Sequence, residues 1–283
     1  MNLFKLQHML KEFFIEDIGD NDLSSTTIFP ADEAGQFSFY AKEDGIFCGT
    51  PIIETGFALL HPSIRVTMHV AEGARIAYGD KLATIAGPIQ LLLSGERVVL
   101  NLVQRLCAIA TMTHAATSQT AGTTTKICDT RKTTPGLRML EKYAVRIGGG
   151  YNHRSGLYDC IMLKDNHIAF CGSITEAVTR ARQAIGHTVK IEVEIETRAQ
   201  LQEAIEAHAD IIMFDNQTPE TIREWQQLVP ETIVTEASGG ITLDTIASYA
   251  QSGVHYISLG FLTHSVKAFD ISALVELKGA LNA

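Results

Sequence analysis

From residue 126 onward the chain repeats one pattern: a short, continuous apolar run, a polar or glycine-bearing turn, then a segment with helical periodicity. The apolar runs lie at 126–129, 160–164, 189–195, 210–214, 232–237 and 256–259, and the helical segments at 137–147, 173–185, 199–207, 219–228 and 243–251. Strands that are apolar on both faces and separated by helices belong to a parallel sheet covered by those helices. Six strands are fewer than the eight of a closed barrel, so the pattern leaves an incomplete barrel or an open sheet. One strand decides between them. In Lys190-Ile191-Glu192-Val193-Glu194-Ile195 a period of two sets three charges on one face and three apolar side chains on the other. Charges do not pack against helices, so that face borders a wet or ligand-filled interior, as in a barrel.

The first part of the chain follows a different rule. Leu3, Leu6, Met9, Leu10, Phe13 and Phe14 recur at helical spacing, followed by an acidic, turn-rich loop. Strands with one buried face are expected at 36–41, 64–70 and 81–86, with a helix at 51–60. A long helical pattern over 91–121 then bridges to the strand-helix repeats. The expected organisation is an N-terminal α/β sandwich domain over 1–110, an open α/β barrel over 111–270, and a C-terminal helix over 271–283 packing back on the first domain.

The chain carries a formal charge of -9 and a pI near 5.6, which argues against broad nucleic-acid or membrane binding. Its cations are nevertheless concentrated. Between Arg131 and Lys164 seven Lys and Arg face two acids, a local +5 that leaves -14 elsewhere. Such a focus suits a small anionic ligand. The five cysteines form an odd set without CxxC spacing, which predicts reduced thiols and a cytoplasmic protein. Lys and Glu interrupt the apolar pattern at the N-terminus, and no secretory signal is expected.

The residues at or after the strand ends are Thr130-Arg131-Lys132, Lys164-Asp165-Asn166-His167, Glu194, Asp215-Asn216, Ser238-Gly239-Gly240 and Gly260, every one polar or glycine. In a parallel barrel these converge on one rim, where such folds place their chemistry. Glycine loops after the last two strands suit a phosphate, whose oxygens accept backbone N–H groups. Glu194 and Asp215 have the chemistry to hold a divalent cation, bind sugar hydroxyls or stabilise a cationic transition state. Asp215 also fits a helix cap ahead of Pro219. His153, beside Arg154, suits either a carboxylate partner or a plain loop position. No His, Cys or Asp set shows zinc-ligand spacing.

The stretch DTRKTTPGLRMLEKYAVRIGGGYNHRSGLYDCIMLKDNHI, with Glu192-Val193-Glu194, Phe214-Asp215-Asn216, EASGGI at 236–241 and LGFLTHS at 259–265, resembles the quinolinate phosphoribosyltransferases. The likeness continues upstream through GERVVLNLVQRLCAIAT and more loosely through EDIGDNDLSS and AKEDGIFCG, so it spans nearly the whole chain. It implies a Mg²⁺-dependent condensation of quinolinate with phosphoribosyl pyrophosphate (PRPP), yielding nicotinate mononucleotide, pyrophosphate and carbon dioxide. It further implies a homodimer with shared active sites, higher assembly being left open. By position, Thr130, Arg131, His153, Arg154 and Lys164 would bind quinolinate, and Arg97 would reach in from a neighbouring subunit. Lys132 would meet the pyrophosphate, and Glu194 and Asp215 the ribose hydroxyls and metal. The 5-phosphate would lie against Ser238, Gly239, Gly240, Leu259, Gly260 and Phe261, with His264 nearby. Two rival readings are a related protein associated with molybdenum transport and a non-catalytic phosphosugar or dicarboxylate sensor. The retained Asn152-His153-Arg154 and Lys164-Asp165-Asn166-His167 motifs oppose the first, and the joint presence of Lys132, Glu194 and Asp215 opposes the second.

Overall fold

The computed structural model describes residues 1–275. They fall into two compact units, one formed by 1–112, 139–148 and the chain from 266, the other by 113–138 and 149–265.

In the first unit, helices α1 (Leu3–Ile18) and α2 (Leu23–Ile28) precede strands β1 (Ala34–Ala41) and β2 (Gly45–Ile46). Helix α3 (Thr50–Leu60), strands β3 (Arg65–Met68), β4 (Arg75–Ile76) and β5 (Lys81–Pro88), and helix α4 (Ile89–Ser118) follow. Helix α1 is capped by the Asn2 side chain on the Lys5 N–H and turns inward Leu6, Met9, Leu10 and Phe14, four of the six positions its spacing predicts, while Leu3 is exposed. Strands β1, β3 and β5 form an antiparallel sheet. Phe37 and Phe39 of β1 meet Phe57 of α3 at centroid separations of 6.0 and 6.4 Å, and the three rings anchor the core.

The fourth strand of this sheet corrects an expectation. Positions 271–274, expected as helix, form a strand that pairs antiparallel with β1, from Ile271 opposite Ala41 to Leu274 opposite Ser38. The free edge of β1 offers unpaired backbone groups, and hydrogen bonding to it outweighs the local helical preference. Positions 276–283 of the expected helix lie outside the described residues.

Helix α4 is long and apolar enough to cross a membrane by length and composition, but its apolar window is 61% buried, as in a core helix. Its residues pass from the first unit to the second at Met112.

The second unit contains the strand-helix repeats. They comprise β6 (Lys126–Cys128), α5 (Arg138–Ile147), β7 (Ile161–Leu163), α6 (Asp165–Cys171), α7 (Ile174–Ala184), β8 (Ile191–Ile195), α8 (Arg198–Glu206) and β9 (Ile211–Asp215). Then come α9 (Pro219–Gln226), β10 (Val234–Ser238), α10 (Ile246–Ala250), β11 (Tyr256–Ser258) and α11 (Phe261–His264), and the final strand β12 (Ile271–Leu274) belongs to the first unit. All six expected strands lie between helices as the pattern requires. Helix α5 departs from it: Met139–Gly148 belong to the first unit, where buried Glu141 accepts Nε and Nη2 of Arg105 at 2.8 and 2.6 Å. Of its cations, Lys142 is buried while Arg146 is exposed.

The six strands make one parallel sheet in the order β6-β11-β10-β9-β8-β7. Its edges, β6 and β7, both contribute to one cavity lined by Thr130, Met162, Glu194, Met213, Ser238 and Ser258, so the sheet is curled around that cavity as an open barrel. All strands run the same way, and the groups that follow them gather at one end.

Candidate active site

That end holds a cavity of about 590 Å³. Thr130, Arg131, Lys132, His153, Arg154, Lys164, Glu194, Asp215, Ser238, Gly239 and Gly240 all line it, so most of the expected site residues meet in one place.

One wall is cationic. Arg131 carries a buried Nε that has no hydrogen-bond partner in the structure. Burial, and then the neighbouring guanidiniums of Arg154 and Arg138, lower its pKa from the ordinary value. Arg138 is held by Thr133 Oγ1 at 2.9 Å and the Ser155 carbonyl at 3.0 Å, and Arg154 donates Nη1 to the Cys160 carbonyl at 3.1 Å. These bonds fix the side chains without neutralising them. Mutually repelling guanidiniums with unused donors are a receptor for a carboxylate-bearing ligand.

Another part of the lining is acidic. Lys164 Nζ pairs with the Glu194 carboxylate. Asp215 is raised in pKa by burial and then by Glu194, while Lys164 opposes the rise. Asn216 donates its side-chain amide to Asp215 Oδ2 at 2.7 Å and its backbone N–H to the Ser238 carbonyl at 2.9 Å, which joins the ends of β9 and β10.

The loop after β10 depends on glycine. Gly239 has φ +89°, and a Cβ there would stand 2.2 Å from Asn216 Oδ1. After β11, Gly260 packs against Lys132: an added Cβ would lie 2.9 Å from Lys132 Cδ and 3.0 Å from His264 Nε2. Thr263 Oγ1 also donates to the Lys132 carbonyl at 2.7 Å. Gly260 and Thr263 thus support the Lys132 segment, and Leu259, Gly260, Phe261 and His264 are not among the residues lining the cavity. Leu259 is buried and continues the ladder onto the Cys128 carbonyl, and Phe261 opens the single turn α11. Arg97 lies in the first unit, where its side chain is 60% exposed.

His153 lines the cavity, yet both ring nitrogens are engaged within the fold. Nδ1 accepts the Arg154 backbone N–H at 2.7 Å. Nε2 lies 3.2 Å from Glu192 and 3.3 Å from Glu236. The Ser258 hydroxyl also donates to Glu236. Burial draws the His153 pKa down, but the hydrogen bonds to Glu192 and Glu236 outweigh it and push it up to about 10. Burial also raises Glu192. His153 and Glu192 together therefore retain a proton beyond the one on Nε2, and the Arg154 N–H on Nδ1 favours placing it on Glu192.

Met162, Met213, Asn216 and Ser258 line the cavity without having been assigned a role from sequence. Asn216 stood in the strand-end set. Two of the others carry a signal: Met213 is registered beside Glu194 and Glu236, and Met162 beside Glu192, so alternation inward from the polar strand positions marks them.

Comparison with known proteins adds a second line of observation. The N-terminal domain model of quinolinate phosphoribosyl transferase matches residues 22–107, and its C-terminal domain model matches residues 109–274. The probable nicotinate-nucleotide pyrophosphorylase [carboxylating] of Bacillus subtilis (strain 168) is 58% identical over 277 residues, covering 98% of this chain and 96% of that protein. A quinolinate phosphoribosyltransferase [decarboxylating] of Nicotiana tabacum is 37% identical over 98% of this chain and 84% of its own length. Among solved structures, NadC of Streptococcus pyogenes superposes with a TM-score of 0.93 at 39% identity, covering 97% of both chains. The nicotinate-nucleotide pyrophosphorylase of Francisella tularensis gives a TM-score of 0.93 at 33% identity over 98% of both chains.

Proposed function

The chain belongs to the quinolinate phosphoribosyltransferase family, and on that premise we propose that it transfers the phosphoribosyl group of PRPP to quinolinate with decarboxylation, in the synthesis of NAD. The observation that carries this reading is the polarity of the cavity: guanidiniums on one wall, Lys164 paired to an acidic wall, and a glycine loop between strand ends.

Quinolinate brings two carboxylates, and the forks of Arg131 and Arg154 suit them better than ammonium groups do. Lys164 stands between that ligand and the ribose side, and Lys132 meets the pyrophosphate. The C1–oxygen bond to pyrophosphate breaks as the ring nitrogen bonds to C1, and Glu194 and Asp215 stabilise the positive charge that develops there. The positive charge on the alkylated ring nitrogen then stabilises the carbanion left at C2 as the 2-carboxylate departs as carbon dioxide, and a proton takes its place on the ring. Positioning and exclusion of water serve this step without a dedicated base. The backbone around Ser238–Gly240 and the support from Gly260 suit the 5-phosphate.

Glu194 and Asp215 are oxygen donors of the kind Mg²⁺ takes alongside substrate phosphates, so the residues present fit that ion. When bound, Mg²⁺ would neutralise charge on the pyrophosphate leaving group.

Two further parts of the proposal concern the setting. All five cysteines are free and Cys48, Cys107 and Cys128 are buried, which supports a reducing, cytoplasmic compartment. The exposure of Arg97 supports its reaching a neighbouring subunit in a homodimer. Mixing Arg97→Ala chains with Lys164→Ala chains tests this, since activity returns in the mixed dimer only if sites are shared.

The function is tested with purified protein, quinolinate, PRPP and Mg²⁺, using nicotinate in place of quinolinate as the control. Nicotinate mononucleotide and carbon dioxide from quinolinate alone are expected. Ligand binding without turnover would move the assignment to a non-catalytic sensor.

A further inference from the structure

Asp129 follows β6, is fully buried, and is used by no step described above. Its Oδ1 accepts the His153 backbone N–H at 2.8 Å, and its Oδ2 accepts the Asn152 side-chain amide at 2.6 Å. Both donors lie on the segment that carries Arg154. Asp129 itself sits two positions before Arg131.

Its place in the sheet gives these bonds their meaning. β6 is an edge strand, and beyond that edge the ladder shrinks to one isolated parallel bridge between Cys128 and Tyr151. The Tyr151 N–H donates to the Ile127 carbonyl at 2.8 Å and the Asp129 N–H to the Tyr151 carbonyl at 3.0 Å. From Asn152 onward the Asp129 carboxylate continues what the backbone ladder began. Short bonds to an ionised carboxylate are the stronger kind. They have a force to resist, because Arg131 and Arg154 repel each other.

We propose that Asp129 is a positioning residue. It clamps Asn152-His153-Arg154 to the Thr130-Arg131-Lys132 strand end and thereby sets the spacing of the two guanidiniums that grip the substrate's carboxylates. Glu192 and Glu236 hold the same segment from the barrel interior through His153 Nε2. A buried anchor on each side leaves Arg154 little freedom, which paired-fork recognition requires.

The inference rests on the guanidiniums being the quinolinate site, and the test separates the two ideas. Dissociation constants for quinolinate and for PRPP are measured by calorimetry on the wild type, Asp129→Ala and Asp129→Asn, together with their melting temperatures. Asp129→Ala is expected to weaken quinolinate by about 10²-fold, the effect of a misplacement near 1 Å, while PRPP binding holds. Asp129→Asn is expected to recover most of the loss, because its carbonyl still accepts the His153 N–H and the Asn152 amide can turn to accept from it. Equal weakening of both ligands, unchanged quinolinate binding in Asp129→Ala, or no recovery in Asp129→Asn would overturn the clamp. Failure of the wild type to bind quinolinate would overturn the functional reading and the clamp together. If Asp129→Ala does not fold, Asn152→Ala carries the test: quinolinate-selective weakening supports the clamp, and its absence overturns it.

Discussion

A single backbone angle decides whether the acidic wall and the glycine loop fit each other. Gly239 occupies φ +89°, and the nearest atoms to an added Cβ are Asn216 Oδ1 at 2.2 Å, Cγ at 2.6 Å and N at 2.8 Å. Asn216 cannot retreat freely: it already sits at φ 53°, its N–H is bonded to Ser238, and its amide orients Asp215. Gly239→Ala therefore combines backbone strain of about 1–3 kcal/mol with displacement of Asn216 beside Asp215. The KM for PRPP is expected to rise at least about tenfold, equivalent to 1.4 kcal/mol of lost binding where KM tracks affinity, while quinolinate affinity by direct titration changes little. Gly240 offers the control. Its φ is +64° but no atom lies within 4 Å of an added Cβ, so Gly240→Ala should show strain without the loss of PRPP recognition. Equal effects of the two substitutions would mean that the contact with Asn216 does not matter.

At the level of elements, capping reveals what sequence patterns leave out. Helix α3 starts at Gly49-Thr50 with no side-chain cap of its own. Its first N–H groups are taken by Glu72, which accepts from Gly49 at 3.1 Å and Thr50 at 2.8 Å and also accepts the Tyr143 hydroxyl of α5 at 2.9 Å. Burial and then the charge of Glu72 hold that hydroxyl firmly protonated. Glu72→Ala removes a helix cap and orphans a half-buried donor, for an expected loss of about 2 kcal/mol, read as a lower denaturant midpoint with an unchanged slope. A midpoint within error of the wild type would show that water replaces the carboxylate at no cost. The helix itself was legible from its apolar spacing, and its cap was not, because Glu72 is remote in sequence. The same division runs through the fold. The parallel strands announced themselves as apolar runs, and Glu192 and Glu194 marked the interior face of β8. β2 and β4, of two residues each, are too short to show a period. β12 was misread because Ile271-Ser272-Ala273-Leu274 fits a helix turn and a strand equally, and only the open edge of β1 decides. Met162 and Met213 are marked only once the strand register sets them beside Glu192, Glu194 and Glu236, and Ser258 looked like an ordinary strand residue until the curl of the sheet turned it toward the cavity.

For the molecule as a whole, the interior charges of the barrel couple folding to pH. In the unfolded chain His153 titrates near about 6.5 and Glu192 near about 4.3, so around neutrality both have lost most of their exchangeable protons. In the folded chain the pKa of His153 is pushed up to about 10, and burial raises that of Glu192. The native state thus binds more protons than the unfolded state between these limits, and stability must fall as pH rises. The contribution is fully present below pH 6.5 and is lost as pH climbs through about 10. Other groups titrate over the same range, so the measurement is a difference. Unfolding free energies of the wild type and of His153→Asn, which carries no titratable proton, are compared at pH 6 and pH 10. The advantage of the wild type should shrink across that interval by more than about 1.4 kcal/mol, the equivalent of one pKa unit. Glu236→Gln withdraws one of the carboxylates that raise His153, so in that background the decline should set in at lower pH. An advantage that stays constant or grows toward pH 10 would mean that His153 and Glu192 hold no proton beyond the one on Nε2. His153 would then be a neutral imidazole bonded on both nitrogens beside an ionised Glu192.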